Sequence, residues 1–313
     1  MDTIARSRIG LGTGEVRERL IGVAAALVAV TIWAGWIVGT RHAVSDTLDP
    51  SAVGLLRFLV PALVLAPVWW RLGWGPGRVN PLGFLVIAAG CGAPFFLVSA
   101  AGMRFAPAAD AGALLSGTMP LFVALLARLV EREPLGLRGV GFALVAVGAT
   151  IVAGRALLAD ADAWRGDLLF LLGASMWAGY TVAFRRSGLT PVEAASLVSL
   201  WSALVLLPSG LPPLVVALAA GHAAEVAAQA LLQGVLSGLV AIVAYGAAVA
   251  RLGASRAAAF SALAPVLAAV IAVPVLGEMP DGPAMVGILA TSLGVALASG
   301  VWRIRPSAAR APS

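Results

Sequence analysis

The sequence predicts an all-α integral membrane protein, with ten transmembrane helices arranged as two inverted five-helix repeats. Three observations lead there. The composition is too apolar for a water-facing surface, ten apolar runs have bilayer length, and short segments of the first half recur in order in the second.

Of the 313 residues, 60% are apolar and 12% are charged, whereas a soluble domain carries about 25% charged residues. Mean hydropathy is +0.98. A soluble globule must cover its outside with polar groups, so this composition excludes soluble enzymes, disordered chains and secreted disulfide scaffolds. Cys91 is the only cysteine, and His42 and His222 are the only histidines. No His/Cys cluster has metal-ligand spacing, so neither metal nor cofactor is expected. Net charge is +6 and every basic residue is arginine. These arginines lie singly or in pairs between apolar runs, which points to topology signals rather than nucleic-acid binding.

A helix needs about 20 apolar residues to cross a bilayer core. Runs that meet this lie near 20–40, 51–70, 81–103, 109–130, 138–154, 166–184, 191–208, 229–250, 256–276 and 283–302. None alternates as a barrel strand would. The first run is longer than a secretory-signal core and ends at Thr40-Arg41-His42, so it reads as a retained helix. Segment 213–228, with Pro213, His222 and Glu225, reads as an interfacial helix. With the N-terminus placed in the cytoplasm, sixteen arginines fall inside and four (Arg41, Arg104, Arg155 and Arg165) fall outside. That bias puts both termini in the cytoplasm. Trp69, Trp70, Trp74, Trp164 and Trp302 lie at span ends, as interfacial anchors do.

The repeat is read from matched segments. Ile32-Trp33-Ala34-Gly35-Trp36 matches Met176-Trp177-Ala178-Gly179-Tyr180, with Arg41 and Arg185 at the same offset. Ala62 to Pro67 matches Ala203 to Pro208, Pro120 and Glu133 match Pro265 and Glu278, and Gly141 and Gly148 match Gly287 and Gly294. Five spans per repeat is an odd number, so the second repeat inserts upside down. Inverted repeats are a mark of secondary transporters, because one fold in two orientations yields states open to opposite sides. The expected organisation is a tail at 1–19, a first repeat at 20–154, a linker at 155–165, a second repeat at 166–303 and a tail at 304–313.

On these residues, together with Arg57-Phe58 in the second span, the chain resembles the drug/metabolite transporter superfamily in its ten-helix EamA-type branch. Over its length it is most similar to the YddG-type bacterial exporters of aromatic and other amino acids. The resemblance implies a ten-helix carrier working by alternating access, with a small-molecule substrate and the lipid bilayer as its partners. Val198 stands where the first half has Arg57, so any role of Arg57 is not duplicated.

Trp33, Trp36, Trp177 and Tyr180 fall near the midplane at 1.5 Å rise per residue, and a spacing of three sets each pair on one helix face. Aromatic belts sit at interfaces, so midplane rings read as walls of a substrate cavity or as helix packing. Pro120 and Pro265 read as kinks inside their spans. Ser116, Thr118 and Ser261 could serve the freed carbonyls or a substrate. Tyr245 is a further cavity candidate. Arg57, roughly 10 Å deep, reads as an arginine snorkelling outward or paired with Asp46 or Asp49, with a carboxylate-binding or gating role as the alternative. Glu133 and Glu278 read as caps or salt-bridge partners of loop arginines, with a gating ion pair as the alternative, and Asp110 and Glu193 as helix-start acids. The paired glycines read as sites of close helix approach.

No carboxylate is expected near the midplane, which argues against cationic drugs and leaves proton coupling without a seat. No ATP-binding motif or catalytic cluster is present, so an enzyme is not expected. The expected function is export of amino acids or related zwitterionic metabolites by a functional monomer. A carrier of purines or other neutral solutes is the alternative within the class, and a channel or scramblase lies further off.

Overall fold

The computed structural model describes residues 13–73, 75, 77, 79–130, 139–159 and 162–299. Among the described residues all regular structure is helical. A helix satisfies its backbone polar groups internally, as a segment surrounded by lipid must. In chain order the helices are α1 (Thr13–Asp46), α2 (Pro50–Val64), α3 (Ala66–Leu72), α4 (Pro81–Gly102), α5 (Ala108–Val130) and α6 (Gly139–Ala159). They continue with α7 (Ala163–Arg185), α8 (Pro191–Ala219), α9 (Ala223–Leu252), α10 (Arg256–Leu276) and α11 (Gly282–Ala298).

Seven of these (α1, α4, α5, α7, α8, α9 and α10) are long and apolar enough to cross a membrane. Helices α2 and α3 form a pair bent by 73°. The apolar parts of α6 and α11, Gly139–Arg155 and Gly282–Ala298, are shorter. The bend follows from Pro67, which has no N–H to continue the ladder. Trp69 donates its indole N–H to the Ala62 carbonyl at 2.8 Å, which caps one carbonyl beside the break.

Segment 213–228 is not a separate interfacial helix. α8 runs on to Ala219 through Pro208, Pro212 and Pro213, a turn follows, and α9 begins at Ala223. Its 29 residues make it about 43 Å long, more than a bilayer core of roughly 30 Å. The prolines suggested a break. The helix instead stays continuous against α2, where Gly210 and Gly54 allow close approach to Leu55 and Leu206. At its start a capping box forms, with Thr190 Oγ1 accepting from Glu193 N–H and Glu193 Oε2 accepting from Thr190 N–H.

Each helix packs mainly on a member of the other half. α1 lies on α9 and α10, α7 on α4 and α5, α2 on α8, and α6 on α11, while α5 and α10 also touch each other. Exchanging every helix for its counterpart turns the α1–α9 and α1–α10 contacts into the α7–α4 and α7–α5 contacts and leaves the α2–α8, α5–α10 and α6–α11 pairings unchanged. That is the contact pattern of a pseudo-twofold axis. The sense is antiparallel: Gly22 faces Leu252 while Gly39 faces Leu232, and Gly102 faces Phe170 while Gly90 faces Tyr180. Arg41 bonds the Met103 carbonyl, beside the start of α7, and Arg185 lies at the other end of α7. The matched arginines therefore sit at opposite ends of the bundle.

The tightest crossing is α6 on α11, where the repeat's paired glycines meet one another. A Cβ on Gly148 would lie 2.6 Å from the Gly287 carbonyl oxygen, and one on Gly294 would lie 2.7 Å from that of Gly141. Both obstacles are backbone and cannot rotate away. We expect Gly148→Ala to destabilise the protein by about 1–3 kcal/mol, the scale of overpacking, seen as a lower Tm in detergent. Gly154→Ala, with open space around its site, should leave Tm unchanged.

Candidate functional site: a cavity between the repeats

Two spans are interrupted at matching places. In α5, residues Ala111–Ser116 form a π-helical stretch, a turn follows at Gly117 and Thr118, and regular helix resumes at Met119-Pro120. In α10, residues Ser261–Leu263 tighten into a 3-10 turn and regular helix resumes at Ala264-Pro265. Both prolines thus stand at the first turn of a resumed helix, where a missing N–H costs little. They are not kinks in an unbroken ladder. A third irregularity is the π-helical stretch Ala230–Val240 in α9. Such stretches widen a helix and are frequent at functional sites.

Around these breaks the two halves enclose a cavity of about 770 Å³. Its wall brings together Trp33, Trp36, Arg57, Ser116, Pro120, Trp177, Tyr180, Tyr245 and Ser261. Thr118 is fully buried and donates to the Leu114 carbonyl, away from the cavity. Pro265 is buried beside Gly112. Glu278 lies at the opposite end of the bundle from Arg185, and Glu133 lies outside the described residues.

The rings form a connected series. Trp36 stacks on Phe95 at 6.3 Å, Phe95 meets Trp177 at 5.4 Å, Trp177 meets Tyr180 at 5.1 Å, and Tyr180 stacks on Phe184 at 5.7 Å. Trp33 packs on Tyr245 at 5.2 Å. Phe95 is the link between the repeats. Nothing in its local sequence marks it, because an apolar residue in an apolar helix carries no signal. Ser237 was equally hidden: it reaches the cavity from the π-helical stretch, which ordinary helical spacing does not place.

Arg57 does not turn outward to Asp49, whose carboxylate instead accepts from Ser51 at the start of α2. It points into the bundle. Its Nη1 donates to Ser237 Oγ at 2.9 Å, and its guanidinium carbon lies 4.9 Å from the centre of the Trp36 ring. A cation over an indole face is attracted by the ring quadrupole. Arg57 Nε and Trp36 Nε1 are both buried donors with no hydrogen-bond partner in the structure. Arg57 and Arg185 are the charged groups on the wall, and no acid lines it among the described residues.

The cavity runs from mid-bundle to one end, past Ala127, Phe142, Phe184, Arg185, Ala298 and Ser299. The opposite end is tied shut. Glu278 Oε1 accepts from Arg41 Nε at 2.8 Å, and Glu278 Oε2 accepts from the Ala108 backbone N–H at 2.8 Å. Arg155 donates to both oxygens of the buried Asp110, at 2.7 Å to Oδ1, and to Asp281 at 3.1 Å. Asp110 thus serves Arg155 rather than its own helix start. The Glu278 and Asp281 bonds join the second repeat to the first.

A many-helix apolar bundle built from two inverted halves, with a one-ended cavity between them, has the architecture of a membrane transporter of small molecules. The EamA-like transporter family matches residues 20–155 and again 164–300, so the chain belongs to that family and carries two of its repeats. No curated protein sequence matches. A solved crystal structure of another protein aligns with a TM-score of 0.57 at 19% identity, over 93% of this chain and 99% of that one. This likeness shows a shared fold.

The one-ended cavity is directly testable. In a Cys91→Ala background, a cysteine at Ser261 should react with a membrane-impermeant maleimide from the face bearing Arg185 and be protected from the other. Adding Glu278→Ala should open the second route. Equal reaction from both faces without it would mean the far end is not closed.

Proposed function

We propose that this chain is a secondary carrier that exports amino acids, aromatic ones included, or related small carboxylate-bearing metabolites, as the YddG-type exporters do. The observation carrying this reading is the Arg57 guanidinium on the wall of an aromatic cavity that no acid lines among the described residues. A substrate carboxylate would pair with that guanidinium through charge-assisted hydrogen bonds. Rings beside it suit an apolar or aromatic side chain. The ammonium of an amino acid would face ring π-clouds and the hydroxyls of Ser116 and Ser261. Two cations and no acid also disfavour cationic drugs.

The reading includes ten crossings: the seven long helices, the bent α2–α3 pair, and the shorter α6 and α11. It places both termini in the cytoplasm, from the arginine bias, and the chain in a bacterial inner membrane, from its resemblance to bacterial exporters. The cavity then faces the cytoplasm, where an exporter loads. One cavity lies within one chain, which supports a functional monomer.

Counterflow in proteoliposomes tests this. Protein loaded with unlabelled phenylalanine should accelerate entry of labelled phenylalanine, as a carrier does and a pore does not. Arg57→Gln should cut that exchange at least tenfold while keeping wild-type expression and elution. Full exchange by Arg57→Gln would remove the carboxylate anchor, and an absence of counterflow across a panel of amino acids would overturn the substrate assignment.

A further inference from the structure

At the tied end of the bundle stands a carboxylate that none of the ion pairs uses. Asp167, one turn into α7, is only 2% exposed, and neither of its oxygens has a hydrogen-bond partner. The charged groups that act on it are Asp110 on α5 and Arg155 on α6. Arg155 is already committed to both oxygens of Asp110 and to Asp281 before α11. Glu278 is committed to Arg41 and to the Ala108 N–H. On Asp167's own helix, the exposed Arg165 is held by Asp162 at 3.1 Å. Arg104, past the end of α4, is exposed. Among the described residues, every nearby cation is thus either spent on another acid or in solvent.

An unpartnered carboxylate in a dry site is not sustained as an anion; it binds a proton instead. No group of acids, histidines and cysteines among the described residues has the arrangement of a metal site, so a proton fits this position better than a bound cation. Beside the cluster a cleft of about 220 Å³, lined by Pro107, Asp110, Arg155 and Asp281, gives a water-sized route toward the same end.

We propose that Asp167 is a proton-binding site that locks this gate. It deepens the carrier reading above and rests on it. While the gate is shut, Asp167 holds a proton and is neutral. Opening separates Glu278 and Asp281 from the first repeat, and water enters. The Asp167 O–H then breaks, the electron pair stays on the carboxylate, and the proton passes to water on that side. The Arg155 guanidinium, released from Asp281, is then available to the new anion. Closure reverses each step and takes the proton from the same side. The proton controls the gate and is not carried across.

The sign follows from linkage. The closed state binds one more proton than the open state, so acid on the gate side favours closure. The equilibrium moves by up to tenfold per pH unit between the proton affinities of the two states.

Spin labels across the gate read this without any substrate. Cysteines at Ser45 and Met279, both exposed, would be placed in Cys91→Ala protein in lipid nanodiscs, and their separation measured by pulsed electron paramagnetic resonance from pH 5.5 to 8.5. The long-distance population should grow with pH in this parent protein. Asp167→Asn, which mimics the protonated acid in shape, should keep the short distance throughout. Glu278→Ala should show the long distance at low pH too, which establishes that the labels report opening. A pH response that survives unchanged in Asp167→Asn overturns the assignment, as does a parent protein that ignores pH while Glu278→Ala opens. If Glu278→Ala also stays short, no gate exists at this end and the proposal falls with it. Phenylalanine counterflow on the same samples judges the carrier reading separately, since a carrier can exchange substrate whether or not a proton sets its gate.

Discussion

Both oxygens of Glu278 are bonded across the pseudo-twofold boundary, one to the Arg41 guanidinium and one to the first N–H of α5. This carboxylate makes the bundle one-ended. Hydrogen bonds with a charged partner contribute roughly 1.5–3 kcal/mol each, less the screening due at a side chain left 21% exposed. Two such bonds, with the Arg155–Asp281 contact beside them, hold the closed end at a cost of a few kcal/mol. That is the scale on which binding energies move a two-state equilibrium. A lock much stronger would freeze the molecule, and one much weaker would leave both ends ajar.

With one end shut, the cavity needs room at mid-bundle, and the chain makes room by interrupting its helices. Interruptions inside a membrane leave backbone groups that need partners, and the partners are visible. The N–H of Ala93, freed where α4 bends at Gly92, donates to Ser202 Oγ of α8 at 3.0 Å. In α9 the π-helical stretch turns Gln233 toward Thr40 at 2.9 Å, while Gln229 donates to the Gly39 carbonyl at 3.1 Å. These side chains bind α9 to α1. The same stretch presents Ser237 to Arg57. Widening the helix therefore fixes its packing and builds the site in one step.

Much of this was legible in the sequence, and the reasons separate by scale. Seven of the ten expected spans were readable as long apolar helices because apolar length is a one-dimensional property, and the inversion because Arg41 and Arg185 recur at one offset. The ring positions near Trp33 and Trp177 followed from rise per residue alone. Three things did not follow. The continuity of α8 was hidden because three prolines in 29 residues signal a break, and only packing against α2 overrides that. The direction of Arg57 was hidden because snorkelling and inward pairing share the same depth. Asp167 was passed over because it stands near a span end, where an acid usually meets water. Its burial comes from Gly166 seated against Ala106 and Gly102, a contact between distant parts of the chain.

The repeat is kept where motion needs it and broken where binding needs it. Paired glycines meet their own counterparts at α6–α11, and matched breaks flank the cavity in α5 and α10, so both halves share the geometry that lets each adopt the other's shape. Arg57 has no such partner. Val198 occupies the matching place in α8 and is packed, only 4% exposed, against Gly92. A second arginine there would bring another charge into a dry interior and demand another counterion. In the proposed carrier, one guanidinium set against one side of the shared cavity would serve both states. In that carrier, symmetry would supply the two conformations, and a single asymmetric cation the preference for what passes between them.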